Sequence, residues 1–158
     1  MPVEYFPDTR SGSGVFDEVC VMSRTEFDVC LVVETASAAL ADLEKSIGRA
    51  PSDGSHDRGT PHLIRSRGVW PTSVWQLCSG CPRATSLEEQ FAAIELQLAP
   101  GQLRATGTLP ADAHVYFSVG LFSDSQVPTA TFTPTILAIA TSYGAEIETK
   151  LYTPDMDT

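Results

Sequence analysis

The sequence predicts an α+β fold, a single-domain α/β sandwich with helices packed on a mixed or antiparallel sheet. Three observations carry this. The run Val29-Cys30-Leu31-Val32-Val33 is short, apolar and rich in β-branched residues, as expected of a strand buried on both faces. Residues 114–123 alternate, with Val115, Phe117, Val119 and Leu121 on one face and Tyr116, Ser118, Gly120 and Phe122 on the other. Three segments with apolar residues at helical spacing are interleaved with these strands, and such helices bury their stripes by packing on a sheet.

Taken in order, residues 1–14 hold Pro2, Pro7 and Ser11-Gly12-Ser13-Gly14 and read as an irregular arm. The domain proper is expected over 15–153, beginning with a short strand at 15–22, and a polar tail over 154–158. A central strand at 28–35 leads into a helix through Ala36, Ala39, Leu40, Leu43 and Ile47, with Thr35 or Ser37 as N-cap and Gly48 as the stop. Residues 48–72 form a long irregular connection punctuated by proline and glycine. A strand at 73–77 centred on Trp75 follows.

Ser86-Leu87-Glu88-Glu89 is a capping box, and Leu87, Phe91, Ile94 and Leu98 make the stripe of the helix that it opens. Pro100-Gly101 reads as its end, with a short strand at 102–107. Thr133 caps a third helix with Pro134 at its first position, Ile136, Ile139, Ala140 and Tyr143 inward and Gly144 at its end. Ile147, Thr149 and Leu151 alternate along a last strand. The shared core is expected to hold Val32, Leu40, Leu43, Phe91, Ile94, Phe117, Val119, Ile136, Ile139 and Leu151.

Composition narrows function by exclusion. Twenty acidic against ten basic residues give a formal net charge of −10, which repels phosphate backbones and anionic lipid heads. Neither nucleic acid nor a membrane is expected as a partner. No run approaches the roughly 20 apolar residues of a membrane span, and the start of the chain does not resemble a signal peptide. Four cysteines, unevenly spaced, suggest a reducing compartment rather than a disulfide framework, so a cytoplasmic location is expected, with Cys30 an inert core residue.

The chemistry-bearing candidates are few. Cys78 and Cys81 have the Cys-x-x-Cys spacing of metal and dithiol sites, and His56 and His62 are the nearest histidines available to complete a zinc site. Their spacings fit no standard finger, and no helix begins at the cysteines to favour a thiolate, so no metal or other cofactor is expected. No nucleophile elbow or His-Glu-x-x-His pattern surrounds any of the three histidines. In the long connection, Arg65, Arg67 and Trp70, together with Trp75, are the candidate binding residues.

Three separated segments resemble a bacterial family, domain of unknown function 4279. They are Val29-Cys30-Leu31-Val32-Val33 with the helix end Ile47-Gly48-Arg49-Ala50-Pro51; Trp75-Gln76-Leu77 with Leu87-Glu88-Glu89-Gln90-Phe91; and Phe132-Thr133-Pro134, Tyr143-Gly144-Ala145 and Leu151-Tyr152. The resemblance covers about residues 28–153 and implies one domain; the family carries no activity to transfer. Small acidic domains of this kind accompany toxins as immunity proteins. A non-catalytic acidic binding protein is therefore expected, in concrete form an immunity protein with a cognate toxin as its protein partner. The alternatives are a small enzyme of unknown reaction, or a metal or redox module on Cys78 and Cys81.

Overall fold

In a computed structural model that describes residues 25–105, 109–124 and 128–152, the central run becomes β1 (Glu26–Thr35), the longest strand. It pairs antiparallel on one side with β2 (Ser73–Cys78) and on the other with β3 (His114–Phe122). β3 in turn pairs parallel with β4 (Glu146–Tyr152), so the sheet is mixed and its order is β2-β1-β3-β4. The parallel step needs a crossover, and α4 (Pro134–Tyr143) supplies it. Helices α1 (Leu40–Ile47) and α2 (Leu87–Gln97) join α4 over the same face, and a short α3 (Pro100–Ala105) packs on α4. The expected arm at 1–14, the strand at 15–22 and the tail at 154–158 lie outside the described residues.

Side-chain alternation divides the sheet cleanly. Val29, Leu31 and Val33 of β1, Trp75 and Leu77 of β2, and Phe117, Val119 and Leu121 of β3 meet Leu43, Ile47, Phe91, Ile94, Ile136 and Ile139 from the helices in one core. Phe117 sits at its centre, with ring centroids 4.6 Å from Phe91 and 5.4 Å from Tyr143. Val32 is buried as expected but on the other face, outside this cluster. Leu40 reaches the core only in part. Leu151 is 54% exposed, because β4 is an edge strand that the helices overhang little.

α2 keeps its sequence-predicted start and α4 both of its ends, because these caps are local. Ser86 and Glu89 form the reciprocal capping box of α2. Thr133 accepts from the Ile136 amide, and Gly144, at φ 65°, ends α4 in the left-handed conformation that glycine adopts without strain. α1 differs from expectation. It starts at Leu40, and neither Thr35 nor Ser37 caps it, because both hydroxyls donate to the Asp112 carboxylate instead. With the Ala36 amide also donating, these bonds hold the Asp112 carboxyl down to about 2. The α1 amide at Leu40 goes to Asp57 from the long connection, 3.2 Å away. The strand expected at 102–107 is α3 instead: Pro100 does not end a helix but opens one, where its missing amide costs nothing.

β2 has six residues against the ten of β1, so the first residues of β1 outrun their partner. Gln90, fully buried on α2, makes up the difference. Its amide nitrogen donates to the carbonyls of Phe27 (2.9 Å) and Thr85 (3.2 Å), and its oxygen accepts from the Val29 amide (3.2 Å) and the Ser79 hydroxyl (3.1 Å). A buried backbone group without a partner costs about 1–3 kcal/mol.

The sheet is also cross-linked. Cys30 and Cys78 face each other across β1 and β2 and form a disulfide. The neighbouring pair is hydrogen-bonded, Ser79 N–H to the Val29 carbonyl at 2.9 Å, so Cys30 and Cys78 occupy the alternate position where facing side chains approach most closely. Cys30 is thus neither an inert core residue nor free, and the cysteine count no longer argues for a reducing compartment.

Two outcomes follow from this bonding. Gln90→Leu is expected to lower stability by about 2–4 kcal/mol through the backbone groups it orphans, read from denaturant unfolding; a loss below about 1 kcal/mol would mean that β1 is held otherwise. Reducing the disulfide, whose ends lie 48 residues apart, is expected to cost about 4 kcal/mol from restored chain entropy, seen as a lower unfolding midpoint under a dithiol that a Cys30→Ser variant does not show.

Candidate functional site

No described helix packs on the face of the sheet opposite α1, α2 and α4, although Val32 and Tyr116 at its centre are buried. Register places on it Glu26, Asp28, Cys30, Val32 and Glu34 of β1, Val74, Gln76 and Cys78 of β2, His114, Tyr116, Ser118 and Phe122 of β3, and Glu146, Glu148, Lys150 and Tyr152 of β4. Five carboxylates therefore share one surface with one lysine. The aromatic groups sit among them: Phe122 and Tyr152 stack with centroids 4.7 Å apart, and the Arg83 guanidinium lies 3.8 Å over Phe122.

At the other end of this face Glu34 organises its neighbours. One of its oxygens accepts from the Thr72 hydroxyl at 2.6 Å and the other from the Tyr116 hydroxyl at 3.4 Å. The Tyr116 hydroxyl is pushed up to about 12, first by burial and then by the negative charges of Glu34 and Glu148. His114 stacks beside Tyr116 at 4.8 Å and bonds Glu146 through Nε2 at 3.2 Å. His114, Glu146 and Glu148 bring one potential ligand atom each within 4.8 Å of one another. The histidine to carboxylate bond and the exposure of His114 and Glu146 account for this grouping without a cation.

The long connection borders the same face along the β2 edge. Ser52 donates its amide to the Gln76 carbonyl (2.7 Å), and His56 and Val74 exchange both backbone bonds (3.0 and 2.8 Å). The hydroxyls of Ser55 and Ser52 accept from the amides of Gln76 and Cys78, both at 3.0 Å. A nominally irregular segment thus completes the edge of β2. Further along, Gly59 and Trp70, and Thr60 and Trp70, are joined by backbone bonds, folding 59–70 back on itself. Trp70 is clasped between His56 (3.9 Å) and His62 (4.0 Å).

This geometry sorts the candidate residues. Trp75 is fully buried, with its indole N–H donated to the Arg49 carbonyl at 3.1 Å, so it is a core residue and has no surface to offer a partner. Trp70 is half-buried in its histidine clasp. Arg65 and Arg67 are exposed on the 3-10 turn Arg65–Arg67 at the tip of the fold-back, beside Leu63 (96% exposed), Ile64 and Val69. The alternative metal set of His56, His62, Cys78 and Cys81 does not assemble: Cys78 is bonded to Cys30, both histidines lie against Trp70, and Cys81 stays a half-buried thiol. The carboxylates of the open face were not among the site residues expected from sequence, although the alternation of Ile147, Thr149 and Leu151 along β4 already set Glu146 and Glu148 on the opposite face.

No family model, curated protein or solved structure matches this chain. None of its described helices is long and apolar enough to cross a membrane.

The electrostatics of this face can be checked at Tyr116. Glu148→Gln is expected to lower the Tyr116 value from about 12 toward the free phenol's 10 without reaching it, because burial is the larger cause and remains. Ultraviolet titration against a Tyr116→Phe reference reads this out. An unchanged value would place Glu148 too far from the phenol to matter.

Proposed function

We propose that this chain is a binding protein that takes a basic protein partner on the helix-free face of its sheet. The observation that carries the proposal is the concentration of Glu26, Asp28, Glu34, Glu146 and Glu148 on a flat surface with Lys150 as its one lysine. A chain of net charge −10 steers a cationic partner at long range, and this face focuses the attraction. Charge sets encounter rate and choice of partner; apolar anchors supply most of the affinity. Two sets of anchors flank the carboxylates: the stacked Phe122 and Tyr152 at one end, and the exposed Leu63 and Ile64 on the tip of the connection bordering the β2 edge.

In its most concrete form the reading is that of an immunity protein holding a basic toxin. The acidic excess of a small chain supports that form. The test compares the wild type with a face variant, Glu26→Lys/Asp28→Lys/Glu148→Lys, and with a helix-side control, Asp42→Lys/Glu44→Lys/Glu95→Lys, three exposed positions that make the same change in net charge away from the face. Against a basic toxin encoded beside the chain, the wild type and the control are expected to rescue growth and the face variant to fail. Association of the face variant should slow at least tenfold, and that of the wild type should slow as salt rises. Equal association by the face variant and the control, or capture of an acidic partner, would refute the docking face.

A further inference from the structure

We infer that Cys30, Cys78 and Cys81 form a thiol–disulfide exchange site in which Cys78 is shared between two partners, Cys30 across the sheet and Cys81 along the chain. The Cys30–Cys78 bond lies on the helix-free side, and all three cysteines are half-buried, so neither the bond nor the third sulfur is sealed in the core. Cys81 is a free thiol two residues beyond Ser79, separated from Cys78 by Ser79 and Gly80 only. This Cys-x-x-Cys spacing is one that a disulfide closes readily.

The surroundings hold Cys78 by several bonds and Cys81 by a single backbone bond, its amide donating to the Ser79 hydroxyl at 3.2 Å. The Cys78 amide donates to the Ser52 hydroxyl at 3.0 Å, its carbonyl accepts from Gln97 at 3.2 Å, and the next amide, Ser79, is tied to Val29. Beyond that anchor the chain turns at Gly80, which has φ 72° and open space around its α-carbon. The Cys81 sulfur lies 3.9 Å from the Ser79 carbonyl, so it rests against the residue next to its target. The exchange asks for rotation about the Gly80 turn and for release of the Cys81 amide from the Ser79 hydroxyl.

The step balances without an outside oxidant or reductant. Cys81 loses its thiol proton to water, and the thiolate attacks the Cys78 sulfur. The Cys78–Cys81 bond forms as the Cys30–Cys78 bond breaks, the electron pair leaves on Cys30, and Cys30 takes a proton from water. One disulfide and one thiol stand on each side. What changes is the linkage: β1 and β2 are covalently tied in one isomer, and in the other a free Cys30 thiol stands in the middle of the acidic face. The inference does not depend on the docking proposal.

Peptide mapping tests it, because trypsin separates the isomers. Cys30 falls in peptide 25–45, Cys78 and Cys81 share peptide 68–83, and Cys20 falls in 11–24. The folded full-length protein is incubated over a range up to about pH 8.5, near the ordinary thiol value, quenched in acid, alkylated and digested without reduction. Expected are the joined 25–45 and 68–83 peptides at low pH, and growth with pH of an unjoined 68–83 peptide lighter by two hydrogens, with Cys30 alkylated. Cys81→Ser should abolish that second species, and Cys30→Ser treated with glutathione disulfide should close Cys78–Cys81. Joined peptides alone at every pH, exchange seen only in denaturant, linkage to the 11–24 peptide in place of Cys78–Cys81, or two alkylatable thiols in the treated Cys30→Ser protein would each overturn the inference.

Discussion

The backbone of β1 has to be satisfied along two edges at once, and the rest of the molecule is arranged around that demand. β3 matches one edge through nine residue pairs, from Glu26 with Phe122 to Glu34 with His114. β2 matches the other only as far as Cys30. Beyond it, the Phe27 amide goes to the Arg83 carbonyl, and the Phe27 carbonyl and Val29 amide go to Gln90. Because a buried polar group without a partner is so unfavourable, this use of a side chain in place of a strand fixes where α2 crosses the sheet. Ser79 and Gln97 extend the same network to the end of β2.

What the sequence disclosed was what neighbouring residues decide between themselves. The capping box at Ser86, the Thr133-Pro134 start and the glycine stops at Gly48 and Gly144 are local bargains between a side chain and the next turn of backbone, and those boundaries stand as expected. The alternation of β3 sorted its residues onto the correct faces because period two leaves no other choice. The missed caps share one cause, a partner far along the chain. Thr35 and Ser37 look like caps until Asp112 is folded against them, and Asp57 caps α1 from another segment altogether. Leu151 has the right phase for the core and remains exposed, since exposure there is set by how far the helices reach.

The candidate site was less legible than the fold for the same reason. A pair of cysteines three apart invites a metal or dithiol reading, but the bond that forms joins Cys78 to a residue 48 positions away, which only strand register can bring opposite. Likewise the five carboxylates are scattered over β1 and β4 at the two ends of the described chain, and no window of sequence holds them together. Trp70 and Trp75 are both tryptophans near the start of a strand. One is clasped by two histidines and the other sits in the core, because Trp70 lies in the connection before β2 and Trp75 on the helix-facing side of the strand.

The two margins of the sheet are finished by different means. At β2 the margin is closed by backbone, since residues 52–56 take up its outward hydrogen bonds. At β4 no described strand pairs with the outer side, and the bare peptide groups are flanked by Glu146, Glu148 and Lys150. Charged side chains on an open margin make it a poor template for further strands. If two copies met antiparallel along β4 with Glu148 opposite Glu148, the register would set Glu146 against Lys150 but leave like carboxylates facing at its centre. Sheet growth from molecule to molecule is therefore discouraged on the margin that no described segment closes.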